Sequence, residues 1–174
     1  KNEAPLESLA DWLTAPENQL FARAQANFIW YHVMGRGLFE PIDDLRATNP
    51  AANPPLLDAI SADLVADAFD LRRSVRRIVN SQAYSTSSQP NATNRDDEVN
   101  FARAIVRRLP AEVLLDAQAQ FLDVPVRFGG HRPGLRAGQL PGVQKVRDRD
   151  KSLTSGDRFL RVFGKPQRLL GCEC

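Results

Sequence analysis

The chain has 174 residues, of which 43% are hydrophobic and 25% are charged, a composition that is typical of one globular domain and excludes a wholly disordered protein. A net charge of only +2 does not favour a dedicated nucleic-acid-binding protein. No apolar run is long enough for a transmembrane helix, and two cysteines are too few for a disulfide scaffold.

The charge is unevenly distributed along the chain. Residues 1–70 carry a net charge of −7, whereas residues 71–174 carry a net charge of +9. A basic half can bind an anionic partner, but two oppositely charged halves can also neutralise each other within one molecule. Both interpretations stay open at this point.

The first two predicted helices lie at residues 5–14 and 20–34. In the first, leucine and tryptophan side chains recur at helical spacing and Pro5 suits the first turn. The second is apolar nearly all round, which predicts a central, buried helix. Gly35 is expected to end it in the left-handed conformation.

Two further helices follow a Pro- and Asn-rich loop. Asn53 is the predicted N-cap of a helix over residues 54–67, and Asp70 that of a helix over residues 71–79. The periodicity directs the following apolar side chains inward: Leu56, Leu57, Ile60, Leu64, Val65, Leu71, Val75, Ile78 and Val79.

The remaining sequence is less regular. A polar loop precedes two predicted helices, at about residues 98–108 and 110–121, and residues 157–163 predict a short strand or a turn of helix. The fold class is therefore mainly α, a single-domain array of five to seven helices with a long irregular C-terminal segment. We expect a helical core at residues 1–122 and a Gly/Pro/Arg-rich segment at 123–174 that docks on it.

Asp43 and Asp44 are the candidates for acid/base catalysis. Adjacent carboxylates on a helix point about 100° apart, so they do not form a facing pair. A cap or an ion pair with Arg46 is the favoured interpretation, and a general base or a cation ligand is the alternative.

Arginines form two dense groups. Arg72, Arg73, Arg76 and Arg77 share one predicted helix, and Arg103, Arg107 and Arg108 follow later. Guanidinium groups bind sulfate, phosphate and carboxylate groups bidentately, so an anion site is one interpretation. The other is internal pairing with the following acidic residues: Asp43, Asp44, Asp63, Asp67, Glu112 and Asp116.

The two cysteines, Cys172 and Cys174, form a C-x-C pair at the C-terminal end. Two thiolates do not complete a metal site, so we expect no cofactor within this segment. A metal at this pair would need ligands from residues beyond the chain end.

Several ordered motifs resemble one known family. They run L-x-x-W-L-T, F-A-R, N-x-x-W, G-R-G-L, D-D-x-R and N-P-x-x-x-P-x-L-L-D, then DLRRSVRRIVNSQAYSTSSQPN, RRLPAEVLLDA, FLRVFGKPQR and CEC. In this order they are similar to the domain of unknown function 1553 family of planctomycetes and related bacteria. One departure is Phe28, where the family usually has an arginine after the asparagine.

The resemblance implies a place in the cell rather than a reaction. Such domains usually form the C-terminal part of exported proteins, often with a cytochrome-c-like domain, which implies a cell-envelope or extracellular location. The family's recurring residues and the arginine groups give these binding candidates: Trp30, Arg36, Arg46, Asn49, Arg76, Tyr84, Arg107 and Arg108.

These observations lead to one functional hypothesis and two alternatives. The leading hypothesis is a non-catalytic interaction or accessory module that presents arginine and aromatic side chains to an anionic polysaccharide or a neighbouring domain. The first alternative is an enzyme, or part of one, that acts on sulfated or acidic glycans. The second is an accessory to a cytochrome-c-like electron-transfer domain.

Overall fold

The computed structural model describes residues 5–140 and 153–165. Within these ranges the chain forms six α-helices and no β-strand, which confirms the predicted mainly α fold. The helices are α1 (Pro5–Thr14), α2 (Gln19–Met34), α3 (Pro54–Ala66), α4 (Leu71–Val79), α5 (Ala111–Leu122) and α6 (Ser155–Val162), and Ala137–Gln139 forms a 3₁₀ turn.

The chain divides into two compact units, Lys1–Arg107 and Arg108–Cys174. Helices α1 to α4 belong to the first unit, and α5 and α6 belong to the second. The domain boundary that the sequence suggests near residue 122 remains a prediction. No helix of the described part of the chain is long and apolar enough to cross a membrane.

The predicted helix caps are confirmed by local hydrogen bonds. Gly35 follows α2 with a φ of 87°, and its N–H donates to the Tyr31 carbonyl. The Asn53 side chain accepts the Leu56 N–H at 3.1 Å at the start of α3. The Asp70 carboxylate accepts the N–H groups of Arg72 and Arg73 and so begins α4. Each cap satisfies backbone groups that the helix end leaves unpaired.

The core of the first unit forms where α2 packs against α3 and α4. Its buried apolar residues are Ala26, Ile29, Trp30, Leu38, Phe39, Leu57, Leu64 and Ile78. Helix α2 supplies more of them than any other helix, as its apolar composition predicts.

The prediction for the inward face of α4 was largely wrong. Of its four predicted core residues, Ile78 alone is buried, Val79 is half-buried, and Leu71 and Val75 are 56% and 39% exposed. A nine-residue helix contacts its neighbours along one edge, so the remaining apolar side chains of its stripe stay uncovered.

The helix predicted at about residues 98–108 was also wrong. The Asp97 carboxylate accepts the N–H groups of Val99, Asn100 and Ala102, which closes a turn. These hydrogen bonds lower the pKa of Asp97, and the bond from the Asn100 N–H contributes most to the shift. Phe101 then adopts a left-handed conformation with a φ of 57°, and a helix cannot continue through it.

The second unit has its own small core. Ala111 and Leu115 of α5 pack with Phe128, Ala137, Leu140 and Leu160. Asp116 accepts the N–H groups of Ala137 and Gly138 at 2.7 and 2.9 Å and so fastens the 3₁₀ turn to α5. The alternative of a helix at residues 157–163 is confirmed, since Thr154 and Asp157 form a reciprocal capping box at the start of α6.

Candidate functional site

Asn27 organises the loop that follows α2. Its side chain is completely buried. The Oδ1 atom accepts the N–H groups of Leu38 and Phe39 at 2.7 and 3.3 Å, and the Nδ2 group donates to the carbonyls of Phe39 and Ile42 at 3.2 and 3.3 Å. One side chain therefore satisfies four backbone groups of a segment that lies 11 to 15 residues later in the chain.

Further hydrogen bonds complete this loop. The Gly37 N–H donates to the Glu40 carboxylate at 2.7 Å. The Asn49 side chain donates to the carbonyls of Glu40 and Asp44 at 3.1 and 3.0 Å. Asn49, a predicted binding residue, is thus placed where it holds the loop closed.

Asp43, Asp44 and Arg46 line an open depression on this loop, together with Leu20. Its volume is about 540 Å³, and most of it faces solvent. Arg46 forms a bidentate ion pair with Asp44. Its Nε and Nη2 atoms lie 2.7 and 2.5 Å from the two carboxylate oxygens. The structure therefore brings three of the predicted residues together on the surface.

The charge state of Asp44 follows from this pair. The hydrogen bond from Arg46 lowers the pKa of Asp44 below its usual value. A general acid or a base active near neutral pH needs a raised pKa instead. Asp44 therefore has the environment of an ion-pair partner, as the favoured interpretation of the sequence expects.

The pH dependence of stability should reveal the Asp44–Arg46 pair. Because the folded pKa lies below the unfolded value of about 3.8, the pair stabilises the fold above that pH, and this contribution fades as the pH falls through the folded pKa. We expect Asp44→Asn to lower stability at neutral pH and to converge with the wild type in acid. Urea unfolding at a series of pH values measures this.

The neighbouring carboxylate supplies the control for this experiment. Asp43 forms no ion pair with any residue that the structure describes, so Asp43→Asn removes a neighbouring carboxylate without breaking a pair and should cost less stability at neutral pH than Asp44→Asn. A stability loss in Asp44→Asn that persists undiminished in acid would contradict the electrostatic explanation.

The other predicted binding residues are spread over the molecule. Trp30 is 3% exposed and packs edge-on against Phe101, with 5.2 Å between the ring centroids, so it lies in the core. Arg107 donates from Nη2 to the Val33 carbonyl at 3.0 Å. Arg36 is half-buried and Tyr84 is 47% exposed. Arg108 is exposed and belongs to the second unit.

The arginines of α4 divide into a paired and an unpaired set. Arg73 contacts Asp67 at 2.8 Å, and Arg77 contacts Asp63 and Asp67 at 3.0 and 3.2 Å. Arg72 and Arg76 are exposed and form no ion pair with any residue in the described ranges. Internal pairing thus explains half of the stripe and leaves two guanidinium groups for another partner.

Exposed apolar side chains beside these arginines were not predicted from the sequence. Leu71 and Val75 lie next to Arg72 and Arg76 on α4. No residue of α1 is buried, and its Leu6, Leu9 and Trp12 are 77%, 49% and 64% exposed. The periodicity shows that these side chains share a helix face, but it does not show whether that face is covered.

No metal centre is apparent in the part of the chain that the structure describes. No three His, Cys, Asp or Glu residues among residues 5–140 and 153–165 are grouped so that they could hold an ion. Cys172 and Cys174 lie outside the described residues, so the metal hypothesis for them stays a prediction.

A family model described as "PSD1: Protein of unknown function (DUF1553)" matches residues 7–139, about three quarters of the chain. No curated protein and no solved structure matches significantly.

Proposed function

This chain belongs to the DUF1553 family, and from that premise we propose that it is a non-catalytic interaction module that binds an anionic partner. The binding surface is the exposed side of α4, defined by Leu71, Arg72, Val75 and Arg76. We further propose that it works within an exported, cell-envelope or extracellular protein beside neighbouring domains, one of which is cytochrome-c-like. The family resemblance supports that location and those partners.

One observation carries the proposal: Arg72 and Arg76 are exposed cations without a counter-ion in the described ranges, although Arg73 and Arg77 on the same helix are paired. Residues four apart on a helix are surface neighbours, so the two guanidinium groups can hold one anionic group or two successive ones. The glycan-enzyme alternative has less support, because Arg46 lowers the pKa of its candidate base Asp44.

The test measures binding of the 174-residue chain to dextran sulfate, polygalacturonate and polyglutamate at low and at physiological ionic strength. We expect saturable binding to at least one polyanion that weakens as salt screens the charges. Arg72→Gln combined with Arg76→Gln should weaken it about tenfold, since two exposed ionic contacts together contribute about 1.4 kcal/mol.

A matched pair of substitutions separates a site from a general charge effect. Arg127 and Arg161 are exposed and form no ion pair with a described residue, so Arg127→Gln with Arg161→Gln removes the same charge from the second unit. We expect the control to bind nearly as well as the wild type. Equal loss in both double variants, or no binding to any polyanion, would overturn the proposal.

A further inference from the structure

Four residues make the binding surface of α4 both cationic and apolar. Leu71, Arg72, Val75 and Arg76 occupy positions i, i+1, i+4 and i+5, which cover one continuous sector of about 140° at 3.6 residues per turn. The leucine and valine form one edge of the sector and the two arginines form the other. All four side chains are exposed.

This mixed character discriminates between classes of anionic partner. A hydrated sulfated or uronic polymer satisfies the guanidinium groups but gains little from aliphatic side chains. An amphipathic acidic helix complements both edges of this sector. Its apolar side chains cover Leu71 and Val75, and its carboxylates form ion pairs with the two arginines. The surface therefore favours a protein helix.

The chain itself contains a helix with that complementary pattern. In α1, Leu6, Glu7, Ala10 and Asp11 occupy the same positions i, i+1, i+4 and i+5. All four are exposed, and neither Glu7 nor Asp11 forms an ion pair with a residue in the described part of the chain. Leu9 and Trp12, also exposed, extend the apolar edge of α1.

Helix geometry then determines the direction of packing. In both helices the charged edge follows the apolar edge in the same rotational sense about the axis. If two such helices face each other in parallel, their charged edges fall on opposite sides of the contact. If they are antiparallel, both charged edges fall on the same side, and the carboxylates meet the guanidinium groups while the apolar edges cover each other.

We propose that α1 of one copy docks antiparallel on α4 of a second copy, so that the chain self-associates through this contact. The inference rests on the proposed function, because it names a protein helix as the anionic partner of Arg72 and Arg76. Since each copy carries both α1 and α4, a reciprocal exchange closes a dimer with two identical contacts.

The test is the molar mass of the chain, measured by sedimentation equilibrium over a range of concentrations. We expect the wild type to dimerise and the dimer to weaken with added salt. Two charge-reversed variants, Glu7→Lys with Asp11→Lys and Arg72→Glu with Arg76→Glu, should each weaken self-association at least tenfold, because each places like charges opposite one another.

Mixing the two reversed variants gives the decisive measurement. In a mixed dimer, the lysines of one variant face the glutamates of the other, and the second contact keeps its natural charges. We therefore expect the mixture to associate more strongly than either variant alone. A variant with Asp96→Lys and Glu98→Lys, which changes the charge equally at two exposed sites, should dimerise like the wild type.

The possible failures are distinguishable. A wild type that stays monomeric, or reversed variants that associate as well as the wild type, overturns the α1–α4 contact. If dextran sulfate or polyglutamate still binds through Arg72 and Arg76 in that case, the anion-binding proposal stands without it. Circular dichroism of each variant shows whether the helices are retained, so a loss of association is not mistaken for unfolding.

Discussion

Replacing Asn27 with alanine is expected to destabilise the first unit by about 3 kcal/mol or more. The substitution leaves two buried N–H groups and two carbonyls of the loop without their partner, and each unsatisfied buried group costs about 1–3 kcal/mol. Alanine favours the helix by roughly 0.5 kcal/mol over asparagine, which is too little to offset that loss. Both tryptophans, Trp12 and Trp30, lie in the first unit, so tryptophan fluorescence during urea unfolding reports on it.

An exposed asparagine on the same unit provides the matched control. Asn80 follows α4, and its side chain forms no hydrogen bond within the described residues, so Asn80→Ala should change stability by less than about 0.5 kcal/mol. The prediction would be contradicted if both variants unfolded at the same urea concentration. That result would mean that water or a shifted backbone replaces the Asn27 hydrogen bonds.

Local signals in the sequence predicted the helix ends well. Each of the capping residues bonds to atoms within four residues of itself, so its role can be inferred from the neighbouring sequence. These residues are Gly35, Asn53 and Asp70. Asn27 could not be assigned in this way. Its four partner groups lie 11 to 15 residues away, and the available signal was one polar residue in a helix of largely apolar side chains.

The two errors have different physical causes, and neither cause can be inferred from the periodicity of the sequence. The pattern of α4 correctly placed Leu71 and Val75 on the same side as Ile78, but only Ile78 meets α2 and α3. At residues 98–108, the Asp97 carboxylate accepts three backbone N–H groups of a turn. This turn forms in place of the helix that the periodicity predicts. Tertiary contact and side-chain capping thus outweighed intrinsic preference.

The candidate site was predicted in part. The sequence predicted the ion pair of Asp44 with Arg46, which lie two residues apart. It also predicted that arginines of α4 pair with Asp63 and Asp67. It could not tell which arginines of the stripe would stay unpaired, because that depends on the rotation of α4 relative to the end of α3. The exposed pair, Arg72 and Arg76, emerged only from the structure.

Replacing Gly37 with alanine is the second substitution with a large expected effect. A Cβ atom at this position would lie 2.5 Å from the Phe39 carbonyl oxygen and 3.0 Å from Asn27 Nδ2. The nearest atom belongs to the backbone, so the loop itself must shift and weaken the hydrogen bonds of Asn27. We expect a loss of about 2–3 kcal/mol, a range consistent with overpacking of a tight interior.

Gly138→Ala is the control for this change, and the Asn27 variant tests its mechanism. Because Gly138 lies in the second unit, which contains neither tryptophan, its unfolding is followed by far-UV circular dichroism. Among the described residues, the Cβ atom at Gly138 would meet only the Asp116 carboxylate, at 3.3 Å. A shift of a few tenths of an ångström relieves that contact without breaking the hydrogen bonds of Asp116, so we expect a loss below about 1 kcal/mol. Because Gly37 and Asn27 act on the same loop, Asn27→Ala with Gly37→Ala should cost at least about 0.5 kcal/mol less than the sum of the single losses. Strict additivity in urea unfolding would show that Gly37 supports the fold independently of Asn27.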